Sequence, residues 1–384
     1  MKILLLCRLW LLFLIPSAAF CQANGKLQIH FMDVGQGDGA LLVSPLGETV
    51  LFDDGALNNC DKPVSYLQQL GVTKIDYHIA SHYHSDHIGC AVQVLHDFPL
   101  KKAAYDRGQD YNSSVYHSYV TAVGSLRQTA NPGLTITLDA QSPAPVVIKI
   151  VSVNASTEDG KVVDTSNEND LSVSSLIHFG NFDAEIGGDL SGYKSDSYED
   201  IETSVAPKVG QIEVYKVHHH GSRYSSNTNW LWTTKPQIGI VSCGDGNRYN
   251  HPTAECLEAL HKAGIKTYWT ETGNGVEPEP GLDVVGGNII VEVPSDSKTY
   301  TVTYQGNKTD QYTVRKTGAA GPGIATVTTA TNNSPFASPS YAWSKHAQVY
   351  HFVGCKFVQN ISPQNLVQGA APPDGKTLHK NCPQ

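Results

Sequence analysis

The sequence predicts a layered α/β protein. Short apolar runs with the alternation of β-strands are separated by glycine-rich turns, and later runs alternate with segments of helical spacing. Several of the predicted strands end at a cluster of polar residues, which is how α/β folds place functional groups on loops held by a rigid sheet. Hydrophobic residues make up 40% of the 384 residues, enough for a substantial core.

The elements follow in order along the chain. The first part predicts strands and two helices, the first of which ends at Gly71. The predicted strands there are 27–34, 40–44, 49–52 and 75–80, and the helices are 64–70 and 88–96. The second part predicts strands at 172–179, 183–186, 213–217, 238–241, 288–294 and 298–304, and a helix at 253–263.

Residues 1–21 have the features of a signal peptide. Lys2 supplies a positive start, residues 3–15 are apolar apart from Arg8, and small residues follow Pro16. The apolar run is shorter than the roughly 20 residues of a transmembrane helix. We therefore expect a secreted or periplasmic protein with no membrane span after signal removal. The alternative is an uncleaved anchor.

Three further segments are predicted. Residues 25–310 would form the main domain, and residues 311–340, rich in Thr, Ala, Gly, Asn and Pro, would form a flexible linker. Residues 341–384 predict a small module stapled by a disulfide. In an oxidising compartment the six cysteines beyond the signal favour disulfides over a cysteine zinc site, since no C-x-x-C pair occurs. Proximity in sequence suggests the pairs Cys60–Cys90, Cys243–Cys256 and Cys355–Cys382.

A dense set of potential metal ligands follows the predicted strand 75–80, in the pattern H-x-H-x-D-H. Alternate residues of an extended segment point the same way, so His82 and His84 can bind one ion together. Asp86 and His87 lie past the next turn and can bind a second. Two divalent ions roughly 3.5–4 Å apart can activate a bridging hydroxide. The alternative, a polar surface loop, rarely contains four good ligands in six positions.

Later strand ends supply further candidates. Asp189 follows two glycines, which let the backbone approach closely, and its carboxylate can bridge two cations. Its alternative role is that of a turn residue. Three consecutive histidines, 218–220, end another strand. They cannot all face one ion, so we expect one to be a ligand and another to contact substrate or a group behind the ligands.

Together these motifs resemble the metallo-β-lactamase superfamily and, within it, the extracellular nuclease-like domain of ComEC competence proteins. The similar stretches are F-M-D-V-G-Q-G-D (31–38), L-F-D-D-G (51–55), S-H-Y-H-S-D-H-I-G (81–89), N-D (169–170), G-D (188–189), H-H-G-S (219–222) and N-R-Y-N-H-P (247–252). The resemblance implies a four-layer αββα sandwich with its metals at one edge. In this chain a small C-terminal module would be appended to it.

The resemblance also implies a set of metal ligands. By position these are His82 and His84 for the first ion, Asp86 and His87 for the second, Asp189 as the bridge, and His219 to complete the second site, with His220 as its alternative. Where the superfamily usually has a third histidine for the first ion, this chain has Asn169 and Asp170. Asp170 can substitute as an oxygen ligand, which leaves zinc and manganese open.

Other polar residues complete the predicted site. Three aspartates near turns are interpreted as groups that orient the ligand histidines, with turn and cap roles as the alternative: Asp33, Asp38 and Asp53. Four residues are candidates for holding a phosphate or another oxyanion of the substrate: Ser222, Asn247, Tyr249 and His251. A helix-capping role is the alternative for His251. Asp86 or Asp189 can accept a proton, and His220 or His251 can donate one to the leaving group.

The charge of the chain bears on the substrate. A net charge of −9 and a pI near 5.9 give no basic surface for non-specific binding of nucleic acid, although bound metals add local positive charge. We expect a secreted binuclear metal-dependent hydrolase that acts as a phosphodiesterase on extracellular DNA or on a small or cell-surface phosphodiester. The alternatives are hydrolysis of a β-lactam or another ester or amide, and a non-catalytic metal-binding module.

Overall fold

A computed structural model describes residues 23–315 and, beyond them, 341–345, 347–352, 358, 361, 365–369 and 376–378. The predicted signal peptide and most of the predicted linker lie outside the described residues. Among the described residues, no helix combines the length and apolar character needed to cross a membrane.

The secondary structure begins with strands and then alternates. The strands are β1 (Lys26–Phe31), β2 (Gly39–Val43), β3 (Thr49–Asp54), β4 (Ile75–Ile79), β5 (Leu100–Asp106), β6 (Arg127–Thr129), β7 (Thr135–Leu138), β8 (Val146–Val153), β9 (Ser156–Thr157), β10 (Ser174–Phe179), β11 (Phe182–Ile186), β12 (Val214–Lys216), β13 (Ile238–Val241), β14 (Lys266–Trp269), β15 (Asp283–Val285), β16 (Ile289–Pro294), β17 (Thr299–Tyr304), β18 (Lys308–Thr313), β19 (Tyr341–Ser344), β20 (Val349–Phe352), β21 (Leu366–Gly369) and β22 (Thr377–Leu378). The helices are α1 (Asp61–Gln69), α2 (Ala91–Asp97), α3 (Ser114–Val123), α4 (Glu202–Val209), α5 (Thr228–Thr234) and α6 (Ala254–Lys262).

The main domain is built on two large sheets. The first has the strand order β18-β17-β16-β1-β2-β3-β4-β5-β6, and the second has the order β15-β14-β13-β12-β11-β10-β8-β7 with β9 paired to β8. Apolar side chains from both sheets meet in one buried cluster, for example Ile29 and Val50 of the first sheet and Ile148 and Ile240 of the second. Sheets covered on both faces explain why strands such as β2 and β3 are buried along their whole length.

Helices cover the outer faces. Val64 of α1 and Val94 of α2 pack with Leu41 of β2 on the first sheet, and α4, α5 and α6 pack on the second with side chains such as Trp230. Three helices begin at residues whose side chains accept a hydrogen bond from the first turn, as good N-caps do: Ser113, Asn227 and Thr253. The four-layer αββα sandwich is thereby confirmed.

Two sequence-based predictions need correction. The strand β18 continues to Thr313, so the linker cannot begin at residue 311. Cys60 and Cys90 form a disulfide, but Cys243 and Cys256 are unpaired and buried. Their thiols lie against different groups, because that of Cys243 donates to Glu271 O (3.1 Å) whereas that of Cys256 faces Ser226 Oγ (3.6 Å).

The last four strands form a separate sheet with the order β21-β19-β20-β22. This matches the position of the predicted C-terminal module. The predicted pair Cys355–Cys382 lies outside the described residues.

Candidate metal centre

Three strand ends bring the candidate ligands together. The H-x-H-x-D-H segment follows β4 of the first sheet, whereas Asp189 and the three histidines follow β11 and β12, which are parallel neighbours in the second sheet. Parallel strands deliver their carboxyl ends to the same edge of a sheet. Gly188 permits the close approach of the two segments: it has φ 59°, and a Cβ there would lie 2.6 Å from Ser81 Cβ.

One half of the cluster surrounds Asp189 Oδ1. His87 Nε2 lies 3.4 Å from this oxygen and His220 Nε2 lies 3.6 Å from it. His220 Nε2 is also 3.5 Å from Asp86 Oδ2. Asp189 Oδ1 and the two imidazole nitrogens are buried without a hydrogen-bond partner. Buried polar atoms in native proteins almost always have a partner, so this arrangement indicates that a cation belongs between them.

The other half surrounds Asp189 Oδ2. His82 Nε2 lies 3.9 Å from this oxygen and 3.0 Å from His84 Nδ1, and His219 Nε2 lies 3.7 Å from the same oxygen. The two oxygens of Asp189 therefore face different groups of histidines, as a bridging carboxylate would. Imidazole and carboxylate donors suit zinc and manganese, so the residues present fit two divalent ions.

Two aspartates lie behind the ligands. Asp53 Oδ2 accepts hydrogen bonds from His87 Nδ1 (2.8 Å) and from Ser81 Oγ (2.7 Å). Asp38 Oδ1 lies 3.2 Å from His220 Nδ1, which donates to the carbonyl oxygen of Ser242 (2.9 Å). The hydrogen bonds to Asp53 and to the carbonyl oxygen of Ser242 fix both rings with Nε2 towards the cluster, the usual arrangement behind a metal-binding histidine. Asp38 lies beside the second of these bonds.

Asp33 does not share this role. It accepts from Lys62 Nζ (2.8 Å) and from the backbone of Gly35 (3.1 Å), and 26% of its side chain is exposed. The expectation that it orients a ligand histidine is therefore not met. A glycine-containing turn separates Asp33 from Asp38. Gly37, near the Asp38 end of this turn, packs closely against the ligand segment, since a Cβ at Gly37 would lie 2.3 Å from the carbonyl oxygen of Asp86. Only the far side of that turn reaches the cluster.

The three consecutive histidines occupy three different environments. His218 is hydrogen-bonded at both ring nitrogens, to Glu202 (2.8 Å) and Glu185 (3.2 Å). His219 and His220 have left-handed backbones, with φ 52° and 55°, which turn their side chains away from the direction that an extended strand would give. As a result His220 joins Asp86 and His87, the place expected for His219, and His219 lies on the His82 side.

Asp170 also differs from the expectation. Its Oδ2 accepts from Thr165 Oγ1 (2.7 Å) and from the backbone of Glu199 (2.9 Å), and it belongs to none of the potential metal-binding groups of the described residues. The 3₁₀ turn Asn169–Leu171 points neighbouring side chains in different directions. Asn169 faces the cluster instead, with Nδ2 3.1 Å from His219 Nε2.

Around Asp189 Oδ1 the pKa shifts indicate a local excess of negative charge, whereas burial lowers the pKa values of His82 and His219 on the other side of the cluster. Burial would lower the pKa of His220, but the charges of Asp189 and Asp38 raise it to about 10. The pKa of His87 is raised well above its usual value because Asp189 and Asp53 outweigh the effect of burial. Burial would raise the pKa of Asp86, whereas His220, whose Nε2 lies 3.5 Å away, and the charge of His87 lower it. Such shifts are expected where clustered carboxylates lack the cation that would neutralise their charge.

A cavity of about 670 Å³ opens over the cluster. Asp86, Asp189 and His220 line it, and so do residues that the sequence did not single out: Gln36, Tyr198, Arg223, Tyr224 and Arg248. Tyr198 and Tyr224 are stacked with their ring centroids 4.7 Å apart. The two arginines supply positive charge at the cavity. Arg248 lies within the motif of residues 247–252 and Arg223 directly follows that of residues 219–222, but neither received a role from the sequence. Their meeting at one cavity depends on two separate loops.

Three of the four predicted substrate-binding residues line this cavity: Ser222, Tyr249 and His251. Asn247 is not among the residues that line it, because its amide is used to shape the loop, with Nδ2 donating to Gly244 O (2.9 Å) and His251 O (2.7 Å). Burial, followed by the charges of His220 and His219, lowers the pKa of His251 to about 3. His251 is therefore neutral at physiological pH and cannot donate as an imidazolium.

Comparison with known proteins agrees with this geometry. The family model described as "Metallo-beta-lactamase superfamily" matches residues 32–183 of this chain. The chain is 22% identical over 312 residues to ComE operon protein 3 of Bacillus subtilis, covering 77% of this chain and 37% of that protein. It is 27% identical over 246 residues to Recombination protein 2 of Haemophilus influenzae, covering 61% of this chain and 26% of that protein. The chain thus spans about a third or less of the length of these relatives.

Solved structures give weaker similarities. A metallo-beta-lactamase fold protein, YhfI of Bacillus subtilis, has a TM-score of 0.40 at 12% identity and covers 66% of this chain and 99% of its own. A putative metal-dependent hydrolase of Parabacteroides distasonis has a TM-score of 0.39 at 14% identity, covering 65% and 94%. From the sequence match, the fold and the ligand cluster together, we conclude that this chain contains a domain of the metallo-beta-lactamase superfamily.

Proposed function

We propose that this domain is a two-metal hydrolase of phosphodiesters. The observation that carries the proposal is the set of unpaired ligand atoms, His87 Nε2, His220 Nε2 and Asp189 Oδ1, at the floor of a cavity that two arginines line. The proposed ligands of one ion are Asp86, His87 and His220. Those of the other are His82 and His84, with Asp189 shared and His219 beside Asp189 Oδ2. Two bound ions would supply an activated water and stabilise the leaving oxygen.

The protein's own groups have separate roles in this proposal. Arg223 and Arg248 attract the anionic phosphodiester. The planar guanidinium group of an arginine donates hydrogen bonds in a geometry that matches phosphate oxygens. Asp86, which is 25% exposed at the cavity, accepts the proton of the attacking water. His251 contributes a neutral imidazole to hold a substrate oxygen. His220 is committed as a ligand, so the proton for the leaving group comes from solvent.

The lining of the cavity favours a substrate with an aromatic group next to the phosphodiester. Tyr198 and Tyr224 are stacked on each other and Tyr249 is 46% exposed, and aromatic rings are the common platform for nucleobases. The chain's net charge of −9 disfavours long-range attraction of a polyanion. The proposed substrates are therefore short single-stranded DNA or a small phosphodiester.

The proposed place of action is outside the cytoplasm. The predicted signal peptide supports this, and the Cys60–Cys90 disulfide is a bond that persists in oxidising compartments.

The proposal is tested with the purified mature protein loaded separately with zinc and with manganese. Both metals are used because the histidines suit zinc while the carboxylate oxygens suit manganese. The substrates are bis-p-nitrophenyl phosphate, single-stranded DNA and a phosphocholine ester. We expect metal-dependent hydrolysis that Asp86→Ala abolishes. Absence of bound metal together with full activity of that variant would refute the proposal. Turnover of nitrocefin without any phosphodiesterase activity would support the lactamase alternative.

A further inference from the structure

A lysine is buried beneath the metal centre. Lys216 ends β12, its side chain is 2% exposed, and its one ion-pair partner among the described residues is Asp38 Oδ2. A buried lysine is costly to a fold unless its charge is paired. Lys216 lies in a strand whose three residues are all buried, so its presence needs an explanation in the site above it.

Asp38 lies between this lysine and the proposed ligands. Its Oδ1 is 3.2 Å from His220 Nδ1, and its Oδ2, which pairs with Lys216, is 3.8 Å from His87 Nδ1. Both ring nitrogens have other acceptors, because His220 donates to Ser242 O and His87 to Asp53. Asp38 is therefore not required to orient either ring.

Asp38 is instead a competing ligand. Ligand atoms of Asp38, Asp189 and His220 all lie within 4.8 Å of one another, close enough to hold an ion by themselves. Asp38 is buried and, unlike Asp86, does not line the cavity, so binding by this group would draw the ion towards the buried side of the cluster. Binding of the ion at the cavity therefore requires another group that prevents the Asp38 carboxylate from coordinating it.

We propose that Lys216 is a positioning residue that keeps Asp38 out of the metal coordination sphere by acting as its counter-ion. This inference rests on the metal centre proposed above. In this arrangement the ammonium of Lys216 satisfies the Asp38 carboxylate, so that Asp86, His87, His220 and Asp189 complete the second site at the floor of the cavity. Removing one partner of a buried ion pair leaves an uncompensated charge, whereas removing both does not.

The test uses three variants and a matched control: Lys216→Met, Asp38→Asn, the double variant, and Lys62→Met. Lys62 pairs with Asp33 on the far side of the same glycine turn and with Glu271, and all three side chains are partly exposed to solvent, so its loss leaves no fully buried charge. Each protein is titrated with cobalt(II), and the affinity for the second ion and the visible absorption spectrum are recorded. Cobalt(II) reports its ligand set directly through that spectrum.

We expect Lys216→Met to weaken binding of the second cobalt ion by about tenfold or more, the range for residues that act behind a metal ligand, and to change its spectrum. The double variant should return to within about threefold of wild type with a wild-type spectrum, because no free carboxylate remains. Lys62→Met should match wild type. If Lys216→Met does not fold, the double variant is compared with Asp38→Asn, and it should bind the second ion more tightly because no unpaired ammonium remains.

The outcomes separate this inference from the proposed function. A wild-type protein that binds no second metal ion contradicts the proposed function itself. A wild-type protein that binds two ions, with a Lys216→Met spectrum and affinity like those of wild type, overturns only the role of Lys216. So does a double variant that is as impaired as Lys216→Met, since Lys216 would then not act through Asp38.

Discussion

Two clusters of histidine and carboxylate side chains are built around His218 and His220, and they differ in their hydrogen bonding. In the first, both ring nitrogens of His218 are bonded, and Glu202 also accepts from the backbones of Ser226 and Asn227, each at 2.7 Å. In the second, His220 Nε2 has Asp86 and Asp189 at 3.5 and 3.6 Å and no hydrogen bond. The first cluster is fully buried and leaves one oxygen without a hydrogen bond, Glu185 Oε2, which lies 3.2 Å from His218 Nε2. The second reaches the cavity and leaves three atoms without one: His87 Nε2, His220 Nε2 and Asp189 Oδ1.

This difference separates a structural cluster from a binding site. A fully bonded buried network stabilises one conformation, whereas unpaired buried donors and acceptors destabilise a fold unless a ligand completes them. We therefore assign the His218 cluster, with Glu185 and Glu202, to stability. We assign the His220 cluster to metal binding. The following predictions test this division.

The largest expected effect is on activity. Asp189→Asn removes the carboxylate that faces both halves of the cluster, so hydrolysis of bis-p-nitrophenyl phosphate should fall by about 10⁴-fold, because metal ions contribute several kcal/mol to such reactions. The matched control is Asp183→Asn, on the strand that precedes Asp189, where the carboxylate pairs with the half-exposed His178. Equal activity of the two variants would contradict the assignment of Asp189 as a shared ligand.

The next effect is on stability. His218→Gln breaks a buried charge network and should lower the free energy of unfolding by about 3–5 kcal/mol. In metal-free protein His220→Gln should also be destabilising, because it removes the positive charge beside Asp189 and Asp38. The matched control is His178→Gln, whose half-exposed imidazole should contribute about 1 kcal/mol or less. Urea unfolding of the metal-free variants measures the difference. A loss for His218→Gln no larger than that for His178→Gln would contradict the assignment of the His218 cluster to stability.

The pH dependence of stability should follow His218. Burial would lower its pKa, but Glu185 and Glu202 raise it from 6.5 to about 9. A raised histidine pKa gives stability that is complete below pH 6.5 and is lost as the pH rises through 9, here about 3 kcal/mol. In metal-free protein the wild type should lose its stability advantage over His218→Gln across this range. The contributions of His87 and His220 cancel in that difference. A constant difference from pH 6.5 to 9.5 would contradict the charged state of His218.

The smallest effect is that of metal removal. Zinc at 100 times its dissociation constant should stabilise the wild type by about 2.7 kcal/mol, which a chelator removes. His218→Gln should show the same increment, since its metal site is intact. His220→Gln should show a smaller one, and thermal unfolding with and without chelator measures all three. An undiminished increment in His220→Gln would argue against its role as a ligand.

The sequence predicted the fold, and the first four candidate ligands lie together at one end of it. Strands and helices followed from periodicity, and His82, His84, Asp86 and His87 lie in one short segment where local spacing determines direction. The double glycine before Asp189 also indicated a close approach, which Gly188 makes against Ser81. In each case the local chain carried the information.

The remaining errors arose where backbone direction departs from regular geometry. His219 and His220 have positive φ angles, and Asn169 and Asp170 lie in a 3₁₀ turn, so neighbouring residues exchange places relative to the expectation. Lys216 was missed because a lone lysine in a strand gives no sign of its partner, which is distant in sequence. These contacts are set by tertiary structure.

The most direct test is the metal content of wild type, His220→Gln and His218→Gln, purified in parallel and measured by plasma emission spectrometry. The ligand cluster predicts two ions per chain for wild type and for folded His218→Gln, and one or fewer for His220→Gln. Two ions in His220→Gln, with loss of metal from folded His218→Gln instead, would contradict the assignment of the unsatisfied cluster as the metal centre.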